Sequence, residues 1–337
     1  MTSLLRSTRL YMVLAFFGVP VLWGINWTFM KIGLESLPPF LLLGCRQLVA
    51  GGFFVLLARA RGSQFPRGRL MAWAIVLGFV MTGFSNGAMF WGVQYITSGL
   101  ASILFGTMPF FAAAFAHFWN RERLNVWSVL GIIVGFAGVA LLLGNRVGAQ
   151  SAMALWGQVA LLVSAVTWAM PLVLSRRWLS HEDTIALTGI QMLAGAGLLV
   201  PLGLVSEGLD RVHMVASGWV ALVYMTVASG GLGFVLYFWL MRRLGATRLS
   251  LTSFVTPVVA VISGIVVLGE PVEANLFIGL ALIAVGIGVV SLVGEAGGPV
   301  AARHPSDVPA RVMAGAVMYT ADRDSLFYEK TISPKEH

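Results

Sequence analysis

The chain has 337 residues, a formal net charge of +8, 58% hydrophobic residues and only 11% charged ones, with a mean hydropathy of +0.86. Soluble domains carry about a quarter charged residues, so this composition argues against a water-soluble globular protein and for an all-α membrane protein in a lipid bilayer. The basic excess lies in short clusters between apolar runs and not on one continuous face, which argues against a nucleic-acid partner.

A helix needs roughly 20 apolar residues to cross the hydrocarbon layer. Ten segments approach that length, at 11–31, 38–58, 70–92, 97–118, 126–144, 154–175, 184–205, 216–240, 248–268 and 274–293. The first follows Arg6 and Arg9, yet it is too long for a signal core and no small-x-small site closes it, so it reads as a span. Trp23, Trp27 and Met30, with Asn26 adjacent, form a stripe along it. The second span holds Cys45, the single cysteine, which permits no internal disulfide.

Beside it stands Arg46, the only ionisable residue well inside a span, where a charge costs roughly 2.5–3.5 kcal/mol. It either attracts a substrate carboxylate or bonds to backbone carbonyls and locks helices together. In the third span Thr82, Asn86 and Phe90 recur every four residues and share a face, and Ser164, Trp168 and Pro171, spaced by four and three, share one in the sixth. Gly131 and Gly135 in the fifth span, and Ala284 and Gly288 in the tenth, suit close helix approach within the chain or between copies, so the reading is a monomer or a homodimer.

Trp73, Trp119, Trp127, Trp156 and Trp178 lie near span ends and suit the interfacial belt, whereas Trp168 lies deeper. Glu122 and Glu270 sit at the mouths of the fifth and tenth spans, where a carboxylate caps a helix and compensates its dipole. His117 and His181 lie at span ends without ligand-spaced Cys or His, so no metal site is expected, and no cofactor is expected either. Residues 294–337, with Pro299, Pro305, Pro309 and Pro334, read as a disordered cytoplasmic tail.

Placing the N-terminus in the cytoplasm puts Arg6, Arg9, Arg59, Arg61, Arg67, Arg69, Arg121, Arg123, Arg176, Arg177, Arg242, Arg243 and Arg248 inside. Only Lys31, Arg146 and Arg211 then fall outside, which is a strong positive-inside bias with both termini cytoplasmic.

Shifting the chain on itself by 148 residues pairs Gly83 with Gly231, Phe90 with Phe238, Trp91 with Trp239, Ser102 with Ser250, Pro109 with Pro257, Glu122 with Glu270, Gly131 with Gly279 and Gly138 with Gly286. Upstream the shift is 145, pairing Trp23 with Trp168, Lys31 with Arg176 and Gly44 with Gly189. The two modules, 10–145 and 152–293, each hold five spans. An odd number makes the second enter the membrane inverted, a recurrent transporter plan with its site near the midplane.

Trp23-Gly24-Ile25-Asn26 leading to Lys31, Arg46 in the second span, Pro109 followed by Glu122, and Pro257 followed by Leu268-Gly269-Glu270 together resemble the EamA-type branch of the drug/metabolite transporter superfamily. The resemblance covers residues 10 to 293, each half an EamA-type five-helix repeat; Arg121 replaces the Gly usual before the first Glu, and the tail has no counterpart. It implies a bacterial inner-membrane carrier that exports amino acids or related metabolites by alternating access. It also implies a cavity formed by helices one to four and six to nine.

The inward faces of helices one, three, six and eight present Asn26, Trp27, Asn86, Phe90, Trp168, Phe234 and Phe238. With Arg46 they are the candidate substrate-binding residues, a largely apolar wall suited to a small molecule such as an amino acid with an apolar or aromatic side chain. An intramembrane enzyme is the lesser alternative, since no GxSxG, HExxH or mid-span acid pair appears. A receptor or assembly subunit is the other.

Overall fold

Hydrophobic spans in lipid must satisfy their own backbone, so they fold as helices. The computed structural model describes residues 2–120, 125–144, 151–237, 239–240, 252–271 and 274–294, which fall in one unit ending at Gly294. Among these residues every regular element is helical. We number them α1 (Thr2–Leu34), α2 (Pro39–Ala60), α3 (Arg69–Val93), α4 (Ser98–Trp119), α5 (Val126–Gly144), α6 (Ala152–Trp178), α7 (Thr184–Ser206), α8 (Ala216–Tyr237), α9 (Thr252–Leu268) and α10 (Ala274–Gly294). Eight of them, α1 to α8, are long and apolar enough to cross a membrane. Among the described residues the apolar stretches of α9 and α10, Phe254–Leu268 and Ala274–Val290, are shorter than the other eight. Residues 248–251, Glu122, Phe238 and the tail after Gly294 lie outside the described residues.

Three spans are less regular than periodicity suggests. In α3 the stretch Phe79–Ser85 is π-helical, and in α8 so is Tyr224–Gly233. In such turns each N–H reaches back five residues, one more than in an α-helix, which widens the rod; they occur frequently at functional sites. Under the 148-residue shift Phe79–Ser85 falls on 227–233, inside the second stretch, so both halves widen at the same place. The third irregularity is in α4, which breaks between Phe105 and Met108. Pro109 has no N–H to continue the ladder, and the Thr107 hydroxyl donates to Leu104 O at 2.6 Å across the gap.

Helices from the two halves interlock. α2 packs along α7, α5 along α10, α1 against α8 and α9, and α6 against α3 and α4. The α5–α10 seam brings backbone close to backbone, beside side chains such as Val289 and Ile283: a methyl group on Gly131 would lie 2.8 Å from Gly286 O, and one on Gly138 would lie 3.0 Å from Gly279 O. As residue numbers rise along α5 they fall along α10, so the pair is antiparallel. The α2–α7 pair behaves alike. A methyl on Gly44 would meet Val200 Cγ2 at 2.8 Å, and one on Gly189 would meet Val55 Cγ2 at 2.8 Å. The glycines of α5 thus have a partner in the same chain, where association through small residues rests on close van der Waals approach.

The ends are tied across the same divide. Glu207, after α7, accepts from Phe40 N and Leu41 N at 2.9 and 3.0 Å, filling the orphan donors at the start of α2. At the other end of that pair, Ser63 donates to Asp183, which caps α7 through Ile185 N and Ala186 N. Glu270 acts as a cap on a helix of the other half. Its carboxylate accepts from Ser98 N at 2.7 Å, Ser98 Oγ at 2.8 Å and Gly99 N at 3.4 Å, at the start of α4 in the other half.

Candidate functional site

The polar residues buried mid-span carry the chemistry, because each costs free energy in hydrocarbon unless it is paired. Two neighbours on α2 pair with backbone of other spans. Arg46 Nε donates to Met225 O at 3.1 Å, and Gln47 Nε2 donates to Thr82 O. Met225 lies in the π-helical stretch of α8 and Thr82 in that of α3. One turn of α2 therefore holds a carbonyl in each widened segment. Thr82 Oγ1 in turn donates to Gly78 O and to Gln191 O of α7, while Ser85 Oγ donates to Ser164 O of α6 at 2.7 Å.

The two candidate asparagines each leave an acceptor over. Asn26 is 9% exposed and Asn86 is 7% exposed, and among the described residues neither Oδ1 has a hydrogen-bond partner. Asn26 shares a stripe of α1 with Phe29, stacked on Tyr224 at 4.1 Å, and with Gly33, which lies against Met225. It thus faces the part of α8 that Arg46 grips. Asn86 opens the α-helical turn immediately after the π stretch of α3. A buried amide oxygen without a donor costs about 1–3 kcal/mol; at a binding site that cost is recovered when a ligand N–H arrives.

The aromatic candidates form two groups joined by α1. Trp27 meets Phe105 at 5.8 Å between ring centroids, and Phe105 meets Trp168 edge-on at 5.9 Å. Phe105 sits at the break in α4, so α1, α4 and α6 converge on it. On the other side Phe234 meets Trp23 at 5.6 Å and Phe54 of α2 at 6.4 Å. Trp23 Nε1 donates to Ser229 O in the α8 π stretch at 3.3 Å. Phe90 is fully buried in the apolar core with Met89 and Val93. Phe238 lies outside the described residues. Of the candidates, then, Trp27 and Trp168 are brought together through Phe105, Asn26 and Arg46 face the same stretch of α8, and Asn86 and Phe90 lie on α3.

Phe105 and Gln47 were not among the expected site residues, and Trp23 was expected only as part of the α1 stripe. Gln47 was visible as a rare polar side chain beside Arg46, and Phe105 as the residue four before Pro109. Only the fold brings Phe105 to both tryptophans.

Comparisons with known proteins agree with this architecture. The EamA-like transporter family matches the chain twice, over residues 10–144 and 155–292. The "Uncharacterized transporter YoaV" of Bacillus subtilis is 27% identical over 82% of this chain and 94% of its own length. The "Uncharacterized inner membrane transporter YedA" of Escherichia coli is 28% identical, over 82% and 90%. A "Probable amino-acid metabolite efflux pump" of Escherichia coli is 26% identical, over 80% and 91%. A protein of known crystal structure, 25% identical, superposes with a TM-score of 0.62 over 85% of this chain and 98% of that one. Two matches that span nearly all the described helices leave one assignment: the chain is a multi-pass membrane protein belonging to the EamA-like transporter family.

Proposed function

We propose that the chain is a bacterial inner-membrane exporter of amino acids or related metabolites, with ten spans in two inverted five-helix repeats that work by alternating access. The observation that carries this reading is the exchange of partners between the halves. Gly131–Gly286 and Gly138–Gly279 are one contact seen from its two ends under the 148-residue shift, and Gly44–Val200 and Val55–Gly189 are one contact under the 145-residue shift. Equivalent helices that meet antiparallel in this way are what a two-fold axis in the membrane plane produces.

The end contacts support alternation through all ten helices. Glu270 with Ser98, Glu207 with Phe40 and His213 N with Ser36 O join turns that alternation places on one side. Ser63 with Asp183 and Arg177 with Trp119 O join turns on the other. The excess of arginine on the second side supports cytoplasmic termini. The substrate reading rests on Asn26, Asn86 and Arg46, which offer acceptors and a cation, beside Trp27, Phe90, Trp168, Phe234 and Phe238. A zwitterion with an apolar side chain suits that wall. The relative named as an amino-acid metabolite efflux pump points the same way.

The test is flux. Purified protein in liposomes preloaded with labelled amino acids should release at least one of them faster than protein-free liposomes, and the same solute should raise the melting temperature of the detergent-purified protein. Failure of a broad amino-acid and metabolite panel in both measurements would refute the substrate class.

A further inference from the structure

A groove of about 310 Å³ lies where α2, α3, α6 and α7 meet; none of the candidate site residues lines it, though Asn86 and Phe90 neighbour its lining residues on α3. Its floor is Gly83 and Gly87 of α3, one turn apart, and its walls include Phe40, Ala160, Leu198 and Leu199. Phe84, 54% exposed, and Leu202, 41% exposed, stand at its rim and open it to the hydrocarbon around the bundle. Trp91 also lines it. No charged, hydroxyl or amide side chain lines it.

We propose that this groove is a binding site for one acyl chain of a membrane phospholipid. From Gly83 to Trp91 it runs eight residues, about 12 Å along the helix, close to the roughly 15 Å hydrocarbon depth of one leaflet. An apolar wall offers nothing to a headgroup or a charged solute.

The groove is also not a by-product of the repeat. The positions equivalent to Gly87 and Ala88 in the other half are Val235 and Leu236, and those equivalent to Leu198 and Leu199 are Phe53 and Phe54. There Phe54 is 1% exposed and packs on Phe234, so bulk stands where the first half has space. The first half alone combines small residues on the third helix with leucines on its neighbour. A chain lying on Gly83 and Phe84 touches the π-helical stretch of α3, so an occupant bears on the segment that Gln47 holds.

The probe is phosphatidylglycerol with a photoactivatable diazirine midway along one acyl chain, reconstituted with the full-length protein and mapped by mass spectrometry after illumination. Adducts should concentrate several-fold on 84–91 and 198–202 relative to equally lipid-exposed side chains such as Ile133 and Val266, which are 58% and 76% exposed. Ala88→Phe should abolish that concentration while leaving adducts at Ile133 unchanged. Even labelling over all lipid-facing helices, or a groove that stays unlabelled, overturns the proposal; the wild-type pattern decides this even where Ala88→Phe fails to fold. Transport plays no part in the readout, so the result is independent of the substrate reading.

Discussion

Arg46 Nε donates to Met225 O, 179 residues away in sequence, across the boundary between the two halves. The acceptor lies in a π-helical stretch. Arg46→Ala should therefore remove a charge-assisted hydrogen bond worth about 1.5–3 kcal/mol and lower the yield of monodisperse protein in detergent, with Arg46→Lys intermediate. Wild-type yield and melting temperature together with lost affinity for carboxylate-bearing solutes would instead assign the guanidinium to the substrate.

The cap that Glu270 provides to α4 predicts an effect at a distance in sequence. Glu270→Ala strips acceptors from Ser98 N, Ser98 Oγ and Gly99 N, at a cost of about 1–2 kcal/mol. Hydrogen exchange should rise at the start of α4. A rise confined to the start of α10 would show that the carboxylate serves its own helix.

At the α5–α10 seam, Gly286→Val should abolish folded protein, because the new side chain would strike Gly131 O and the Gly135 backbone, which cannot rotate away. Gly52→Ala on α2, where a methyl group meets nothing within 4 Å, is the control and should express normally. Equal expression of the two would remove the seam from the account of stability.

Unpaired amides make the site legible as a trade-off. Asn86→Leu removes a buried acceptor that has no donor and should raise stability by about 1 kcal/mol while cutting transport. Trp168→Ala should leave expression near normal and cut flux several-fold, with changed substrate preference. Wild-type flux in both at matched protein levels would move the site elsewhere.

Orientation is open to a direct chemical test in a Cys45→Ala background. A cysteine at Ser206, at the exposed end of α7, should react with impermeant thiol reagents in intact cells, and one at Ser180, at the exposed turn before α7, should be protected. The opposite pattern would invert the proposed sidedness.

The spans were legible in the sequence because lipid demands long apolar runs and little else. The repeat was legible because Trp, Gly, Pro and Glu kept one register. The π-helical stretches were not. Phe79–Ser85 and Tyr224–Gly233 are apolar and glycine-containing like the turns beside them, and a one-residue widening leaves no compositional mark. The partner of Glu270 was hidden for a different reason. Its sequence neighbourhood, Glu270-Pro271 ahead of α10, satisfies every local rule for a cap of that helix, and tertiary packing takes the carboxylate to Ser98. For the site, residue types pointed to Asn26, Arg46, Asn86 and Trp168, but the convergence of Trp27 and Trp168 on Phe105 depends on the break in α4.

The contacts of Gly131 with Gly286 and of Gly138 with Gly279 have a mechanical consequence. Main-chain atoms have no rotamers, so a seam built from them cannot yield by degrees: it holds, or it parts. α5 and α10 then act as a fixed post, and displacement during a transport cycle falls on α3 and α8, whose ladders are already interrupted. A spin-label pair across α5 and α10 should keep one narrow distance distribution with and without solute, while a pair across α3 and α8 broadens or shifts.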